Sequence, residues 1–491
     1  MPKVNGICDP SKIRSEVIGG NKPDFPIEIG EMYEGERVRR PDMQVEFGGA
    51  QIPKKWEVVL TRNAGEIEDG KINLVGPDLD QLKQGGTYPL GILIEVSGEK
   101  VEKDLEGVLE RRIHYFLNYI EGLMHLNQRY DIWLRISKKS YQKGLNSLAW
   151  LGKALIWLYK QSFPVLENVQ VTISTETESI DSFHPKALDV WAERDKRARN
   201  LKDEDVEDFY GCVMCQSFAP THVCVITPNR IGSCGSISWF DGRAASKVDP
   251  KGPNFAIPKG KLLDPVKGIY EGVNNVLNQR SLGSVKGISL YSSFENPHTS
   301  CGCFEAIAFF LPEIQGIAIV HRDYKGPTVN GLTFSNMAEH TSGGTQNPGF
   351  NGIAIEYLRS PKFLQADGGW ERIVWVPSAI MERIGDGIPE KMRPLIPTEK
   401  DVKTLDELKE WVTEKNHPII SKWKKEEVQK EETPQESDPD TSQTEAIQAE
   451  IIPQGIALPT SGGFKIILKN AKITADKIII KRIEKKVGAV D

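Results

Sequence analysis

Apolar positions in the first 200 residues follow two alternating patterns. Short apolar runs predict strands at residues 56–61, 90–97, 131–137 and 168–175. Residues 103–126 and 141–159 repeat leucines and other apolar side chains every three or four positions, which predicts amphipathic helices. Alternating strands and helices predict an α/β domain at residues 26–200 with some parallel strand pairing. Residues 1–25 are predicted to form an irregular N-terminal arm.

The pattern changes near the charged stretch at residues 191–208, where we place a domain boundary. Residues 201–423 contain many glycines and prolines, with short apolar runs at residues 316–321 and 373–377. A glycine-rich turn occupies residues 340–352. This combination of frequent glycine and proline with short apolar runs predicts an α+β domain with long functional loops. The expected fold class is therefore a multidomain chain, α/β followed by α+β, with a flexible C-terminal extension.

The C-terminal extension divides into an acidic and a basic part. Residues 424–450 contain three lysines and nine acidic residues but few apolar side chains, which predicts a disordered linker at residues 424–455. Residues 464–486 carry eight basic residues against two acidic ones and alternate in hydrophobicity, so a small basic β element is expected at residues 456–491. It is interpreted as a solubilising tail, with docking to a partner as the alternative.

Composition and charge limit the classes of protein to which this chain can belong. The 491 residues are 39% hydrophobic and 26% charged, with a formal net charge of -6, so no basic excess favours nucleic acid or a membrane surface. The N-terminus lacks the apolar segment of a secretion signal, and the apolar run at residues 304–320 is interrupted by polar residues. We expect a cytoplasmic protein whose thiols are reduced.

The chain contains seven cysteines, and six of them lie between residues 212 and 303. Cys8 stands apart and is interpreted as a spare thiol. Four of the six form the array C-x2-C-x8-C-x9-C, at Cys212, Cys215, Cys224 and Cys234. Four thiolates from one loop-rich segment can hold either a structural zinc or an iron–sulfur cluster. Because only the first pair has zinc-knuckle spacing, the array favours a [4Fe-4S] cluster.

The remaining pair forms the tripeptide Cys301-Gly302-Cys303. So short a loop resists the geometry of an internal disulfide. It can instead chelate one ion through two thiolates and the deprotonated backbone nitrogens of Gly302 and Cys303. Glycine at the centre leaves the backbone free to wrap the ion. This flat N2S2 set suits nickel(II) or copper(II), and we expect nickel in a reduced cytoplasm.

Taken together, the four-cysteine array and the tripeptide resemble the A-cluster of the CO dehydrogenase/acetyl-CoA synthase family, and most of all its archaeal beta subunits. The surrounding stretches GCVMCQSFAPTHVCVITPNRIGSCG and WFDGRAA strengthen a resemblance that covers about residues 20–423. It implies that a [4Fe-4S] cluster is held by Cys212, Cys215, Cys224 and Cys234. It further implies that Cys215 bridges to a proximal nickel, which Cys301 and Cys303 bridge to a distal nickel bound by the amides of Gly302 and Cys303.

The same resemblance implies a reaction and its partners. We expect reversible condensation of CO, a methyl group from a methyl-corrinoid iron–sulfur protein, and coenzyme A to acetyl-CoA. Cys215, Cys301, Cys303 and Phe218 would be catalytic, with Phe218 packing over the proximal metal, and Trp133 would line the substrate pocket in the 26–200 domain. CO dehydrogenase subunits and the corrinoid protein are the expected partners in a larger complex.

Two other functions remain possible on the residues alone: a [4Fe-4S] electron-transfer or scaffold protein without nickel chemistry, and a zinc-stabilised binding protein. No phosphate-binding glycine motif marks a coenzyme A site. Arg135 and Arg230 lie near motif residues, but both are interpreted as surface arginines. His222 is expected to make a hydrogen bond in its loop, because four thiolates already complete a cluster.

Overall fold

The computed structural model describes residues 13–17 and 23–424. These residues belong to one compact unit, Met1–Thr433. Cys8, the acidic linker beyond Lys424 and the basic element at residues 456–491 lie outside the described residues. The predicted division of the first 423 residues near residue 200 stays a prediction.

The first half of the described chain contains two mixed sheets with helices packed against them. Its strands are β1 (Ile13–Val17), β2 (Met43–Gly48), β3 (Trp56–Thr61), β4 (Lys71–Val75), β5 (Gly86–Tyr88), β6 (Gly91–Ser97), β7 (Leu123–Gln128), β8 (Asp131–Ser137) and β9 (Asn168–Ser174). Its helices are α1 (Glu106–Asn118), α2 (Lys138–Gln142), α3 (Ala149–Ser162) and α4 (Thr177–Arg197). The sheet orders are β1-β4-β9-β6-β3 and β5-β2-β8-β7. The pairs β3/β6, β4/β9 and β2/β5 are parallel, which confirms the predicted α/β layer.

Three sequence expectations differ from the structure in this half. The segment expected to be irregular contains β1, which pairs antiparallel with β4. The helix predicted at residues 103–126 ends at Asn118, and four residues later Gly122 adopts φ +76°, a conformation that a helix does not continue through. Leucines beyond Gly122 continue the apolar spacing, but they belong to β7. The helix predicted at residues 141–159 is divided into α2 and α3.

The second half is built of smaller sheets joined by long loops, as the α+β expectation required. Its strands are β10 (Asp208–Cys212), β11 (Cys224–Ile226), β12 (Asn254–Pro258), β13 (Leu262–Asp264), β14 (Ile269–Tyr270), β15 (Ala306–Leu311), β16 (Gly316–His321), β17 (Phe350–Ile353) and β18 (Ile373–Trp375). Its helices are α5 (Trp239–Val248), α6 (Glu271–Arg280), α7 (Phe334–Thr341), α8 (Ser378–Ile384) and α9 (Leu405–Glu414). The sheet orders are β11-β10-β12, β13-β14 and β17-β15-β16-β18.

Helix α1 lies at the centre of the main hydrophobic core. Its apolar residues Leu109, Ile113 and Phe116 are buried against the strands of the first half. The same core includes Cys212 and Cys224 from the second half. The cysteine array is therefore packed onto the α/β layer, close to α1. Among the described residues, no helix combines the length and the apolar character that crossing a membrane requires.

A buried ion cluster fastens α4 to α1 and β3. The Arg194 guanidinium lies 2.6 Å from a Glu110 carboxylate oxygen and 3.1 Å from one of Glu106, and it donates to the Val59 carbonyl at 2.6 Å. Burial raises the pKa of Glu110, while the charge of Arg194 opposes that rise. Both carboxyls are buried and pair with this guanidinium, while Arg129 acts on Glu110 without pairing with it.

We expect Arg194→Met to lower the free energy of unfolding by about 3–5 kcal/mol, because two buried carboxyls lose their counter-charge. The urea midpoint of the metal-free protein measures this loss. Lys103→Met is the matched control, since its pair with Glu193 is more than half exposed on both sides and is worth about 1 kcal/mol or less. Equal losses of unfolding free energy in the two variants would contradict the prediction that the buried ion cluster stabilises the fold more than an exposed pair does.

Candidate metal centre

The β10–β11 hairpin positions the first cysteines. Cys212 and Cys224 face each other in the antiparallel register of these two strands. Cys215 lies on a single 3-10 turn, Met214–Ser217, that leaves β10 directly after Cys212. The carbonyl of Cys215 accepts backbone hydrogen bonds from Phe218 at 3.1 Å and Ala219 at 3.0 Å, which closes the turn. The C-x2-C spacing thus places one thiol on a strand end and the other on the adjoining turn.

The four cysteines of this array line one cavity. It is lined by Arg111, Cys212, Met214, Cys215, His222, Cys224, Ile226, Gly232, Ser233, Cys234, Ile237 and Cys301. The six cysteines of the described chain are free thiols. The spacing of the sequence array therefore corresponds to convergence in space, with an apolar wall supplied by Met214, Ile226 and Ile237.

The segment around Gly302 is held next to this cavity by its flanking residues. The Glu305 amide donates to the Ser233 carbonyl at 3.2 Å, which ties the segment to the loop of Cys234. Arg322 donates to the carbonyls of Gly302 at 2.6 Å and Phe304 at 3.0 Å. Gly302 has φ +123°, a conformation that other residues rarely adopt. The predicted need for glycine at this position is therefore a backbone requirement.

This arrangement brings a second set of sulfurs together. The Sγ atoms of Cys215, Cys301 and Cys303 all lie within 4.8 Å of one another. The Cys303 amide N–H points at the Cys301 sulfur, at a distance of 3.2 Å. Cys215 thus belongs both to the four-thiol cavity and to this three-sulfur group, so two adjacent metal sites would share its sulfur.

The titration of the thiols reflects how closely they are packed. Burial, reinforced by the neighbouring Cys224, raises the pKa of Cys212 to about 12. Burial, reinforced by Cys234, raises that of Cys224 to about 11. Hydrogen bonding to Cys301 and Cys303 raises the pKa of Cys215, and the same contacts lower that of Cys303. Cys212, Cys215 and Cys224 therefore resist ionisation unless cations are present, whereas Cys303 ionises readily, and such a donor set fits metals with a high affinity for sulfur.

Phe218 and Trp133 are placed differently from the cysteines. Phe218 follows the turn that carries Cys215, remains 43% exposed and faces Gly35. Trp133 lies on β8, where its ring centroid is 5.1 Å from the Arg135 guanidinium carbon. Neither residue lines the four-thiol cavity. Their predicted roles stay predictions.

His222 makes the hydrogen bond expected of it. Its Nδ1 is 3.0 Å from the Thr299 hydroxyl, and burial lowers its pKa to about 4, so the ring is neutral.

The surface position expected for Arg230 is wrong. Arg230 is 2% exposed, and its guanidinium carbon lies 4.5 Å from the centroid of the Tyr357 ring. Arg135 is half-buried and pairs with Glu46 at 2.5 Å.

Three residues near the sulfurs were missed by the sequence analysis. The Tyr115 hydroxyl lies 3.2 Å from the Cys215 sulfur. Arg111 lines the cavity one helical turn earlier on α1. Glu34 accepts a hydrogen bond from Ser217 at 2.9 Å, and burial raises the pKa of its carboxyl. All three come from sequence regions far from the cysteines, and no local motif marks them.

Two family models match consecutive parts of the chain. Residues 25–180 match the beta subunit of the CO dehydrogenase/acetyl-CoA synthase complex, and residues 191–423 match the C-terminal family of the ACS/CODH beta subunit. The chain belongs to this beta-subunit family. The expected resemblance is thereby confirmed.

Individual members of the beta-subunit family are similar over nearly the whole chain. The acetyl-CoA decarbonylase/synthase complex subunit beta 2 of Methanosarcina thermophila is 51% identical, over 94% of this chain and 99% of the relative. The subunit beta of Archaeoglobus fulgidus is 49% identical, over 96% of each chain. The solved C-terminal domain of an acetyl-coenzyme A synthase alpha subunit is 40% identical over 25% of this chain and 96% of its own, with a TM-score of 0.23. The prediction of an enzyme is confirmed by the family.

We expect metal binding by this member of the beta-subunit family to displace protons from Cys212 and Cys224. Both pKa values lie above 10, so these thiols are protonated near neutral pH and must ionise to bind an ion. Raising the pH from about 6.5 to 8.5 should therefore strengthen Co²⁺ binding by about 100-fold or more per pH unit. The thiolate-to-cobalt absorption of the metal-free protein measures this affinity.

The control is Cys212→Ser, which should reduce the pH dependence by about one proton, or tenfold per pH unit. A wild-type affinity that changes by less than tenfold per unit would show that these thiols are already ionised without metal.

Proposed function

We propose that this chain is the acetyl-CoA synthase/decarbonylase subunit of a larger complex. Its reaction is the reversible condensation of CO, a methyl group from a methyl-corrinoid iron–sulfur protein, and coenzyme A to acetyl-CoA. The observation that carries the proposal is the group of three sulfurs, Cys215, Cys301 and Cys303, within 4.8 Å of one another beside the four-thiol cavity. An electron-transfer or scaffold protein with a single cluster needs only the cavity.

The residues assigned to the cofactors follow from this arrangement. Cys212, Cys215, Cys224 and Cys234 would hold a [4Fe-4S] cluster in the cavity that all four line. Cys215 would also bind the proximal of two nickel ions, together with the other two sulfurs of its group. The distal ion would take both thiolates of the tripeptide and the amide nitrogens of Gly302 and Cys303. The Cys303 amide already points at the Cys301 sulfur, which supports a nitrogen donor there.

Each part of the chain has a distinct task in this proposal. Nickel bound by these thiolates would supply an electron-rich centre with an open coordination position, at which a carbonyl, a methyl group and a thiol could be joined. The chain holds the sulfurs in fixed positions, since Arg322 anchors the carbonyls on both sides of Cys303. Phe218 would shield the open position from water, and Trp133 would form the wall of the substrate pocket.

The proposed partners are CO dehydrogenase subunits and the methyl-corrinoid iron–sulfur protein, in the cytoplasm. Relatives named as subunits of a decarbonylase/synthase complex support this assembly. We also propose that residues 26–200 form the substrate-side domain and residues 201–423 the A-cluster domain. The two separate family matches, at residues 25–180 and 191–423, support a division into two regions, although the change from one match to the other lies about ten residues before residue 200.

Anaerobically purified protein should contain about four iron atoms and up to two nickel ions per chain. It should also exchange labelled CO with the carbonyl group of acetyl-CoA. Elemental analysis and this exchange assay test the proposal together. Iron without nickel or exchange would indicate an electron-transfer or scaffold protein, and zinc alone would indicate a zinc-stabilised binding protein.

Replacing Cys303 with alanine should abolish nickel-dependent exchange, because one sulfur of the three-sulfur group is lost while the four-thiol cavity stays intact. The exchange activity should fall by more than the factor of about 10–100 that is typical when a residue outside the ligand set is replaced. Exchange activity is measured beside the iron–sulfur absorbance, which should persist. Cys8→Ala is the matched thiol control and should keep full activity. Full activity in Cys303→Ala would contradict the assignment.

A further inference from the structure

Arg111 is a buried cation without a carboxylate partner. Its side chain is 1% exposed, and one terminal nitrogen, Nη1, donates to the Asn127 carbonyl at 2.6 Å. The other, Nη2, is buried and has no hydrogen-bond partner. The buried arginines Arg129 and Arg194 form ion pairs with carboxylates, and buried Arg230 donates from both terminal nitrogens to oxygen atoms, whereas Arg111 forms no ion pair within the described chain. An unpaired buried charge is costly, so this residue requires an explanation.

The charge of Arg111 is directed at the cysteines. The residue lines the cavity shared by Cys212, Cys215, Cys224 and Cys234. Burial by itself would lower its pKa, but nearby thiolates, foremost Cys303, raise it above its usual value. Glu34 is also within electrostatic reach, yet it is only half-buried and bonds to Ser217 without contacting Arg111. The thiolates are therefore the counter-charge that the fold provides.

Helix α1 presents a second polar group to the same sulfurs. Tyr115 lies four residues after Arg111, hence on the same helix face, and its ring centroid is 5.4 Å from the guanidinium carbon. Its hydroxyl is 3.2 Å from the Cys215 sulfur. Tyr115 is also buried, so its hydroxyl donates to this sulfur once Cys215 is ionised by a metal. One helix face thus directs a cation and a hydrogen-bond donor at one group of thiolates.

We propose that Arg111 and Tyr115 are positioning residues that set the reduction potential of the iron–sulfur centre. This inference rests on the proposed function, since it requires a [4Fe-4S] cluster in the four-thiol cavity. Reduction adds one electron, and thus one negative charge, to the cluster and its thiolates. The electron comes from an external low-potential donor, and no bond is made or broken. A fixed cation and a donor hydroxyl stabilise this extra charge, which raises the potential.

The test uses the full-length protein loaded anaerobically with its cluster and titrated with titanium(III) citrate under EPR detection. Arg111→Met should disfavour reduction at least tenfold, which moves the midpoint by about 59 mV or more to negative potential. Arg111→Lys keeps the charge and should restore most of the difference. Arg62→Met is the matched control, because it removes the same charge from a guanidinium paired with Glu95 and should leave the potential unchanged.

Tyr115→Phe provides a second, smaller change at the same site. It removes only the hydroxyl, so the potential should move in the same direction by less than in Arg111→Met. If Arg111→Met does not fold or load iron, the potentials of Arg111→Lys and Tyr115→Phe decide: wild-type values in both would overturn the proposal. Equal shifts in Arg111→Met and Arg62→Met would also overturn it, since net charge would then be the cause.

The outcome separates this inference from the proposed function. Protein without iron would refute the cluster itself. A loaded cluster whose potential is insensitive to Arg111 and Tyr115 would refute only the inference. A wild-type cluster that accepts no electron from the reductant would refute the inference as well, because a compensating cation must make reduction accessible.

Discussion

Mutual repulsion among buried thiolates is the constraint on which the site depends. The hairpin of β10 and β11, the turn of Cys215, the loop of Cys234 and the Gly302 segment bring six sulfurs close together, where negative charges on neighbouring thiolates would repel one another. Removing such charges from water is unfavourable unless cations accompany them. The same packing that makes Cys212, Cys215 and Cys224 weak acids without metal would therefore favour metal ions, which relieve the repulsion. The fold holds the donor sulfurs in place without metal, and bound cations would supply the electrostatic attraction.

The site also depends on contacts between distant parts of the sequence. Helix α1 belongs to the first half of the chain, but its Arg111 and Tyr115 face sulfurs carried by the second half. Arg322 anchors the Gly302 segment from the end of β16. In the core, Cys212 and Cys224 pack with the α/β layer. The two family matches therefore describe regions that cooperate in one site, and neither region alone contains all the polar groups around the sulfurs.

Much of the fold could be predicted because local signals decide it. The apolar runs at residues 56–61, 131–137 and 316–321 are strands in the structure. The predicted helix at residues 103–126 was too long, because apolar spacing continues past Gly122 into β7, where strand pairing with β8 determines the structure. Spacing alone cannot distinguish a helix face from a strand that follows it.

The cysteines could be found from spacing because metal ligands must be close together, and short loops achieve this within one segment. Arg111 and Tyr115 could not, since Tyr115 precedes Cys215 by 100 residues and only the folded chain unites them. The misplacement of Arg230 has the same origin: its burial depends on Tyr357, far along the chain. Composition favours a surface position for an arginine, but a specific ring and carbonyl can override that preference.

The choice of arginine at position 111 follows from the order in which the site is assembled. Before metals bind, the raised pKa values of Cys212, Cys215 and Cys224 keep these thiols protonated, so Cys303, whose pKa is lowered, offers most of the negative charge to a neighbouring cation. A lysine at the same depth would readily lose its proton to desolvation at that stage. A guanidinium is weakly hydrated and keeps its charge when buried. Arginine therefore maintains a positive potential in the cavity from the metal-free state onward, which favours ionisation of the thiols as the ions arrive.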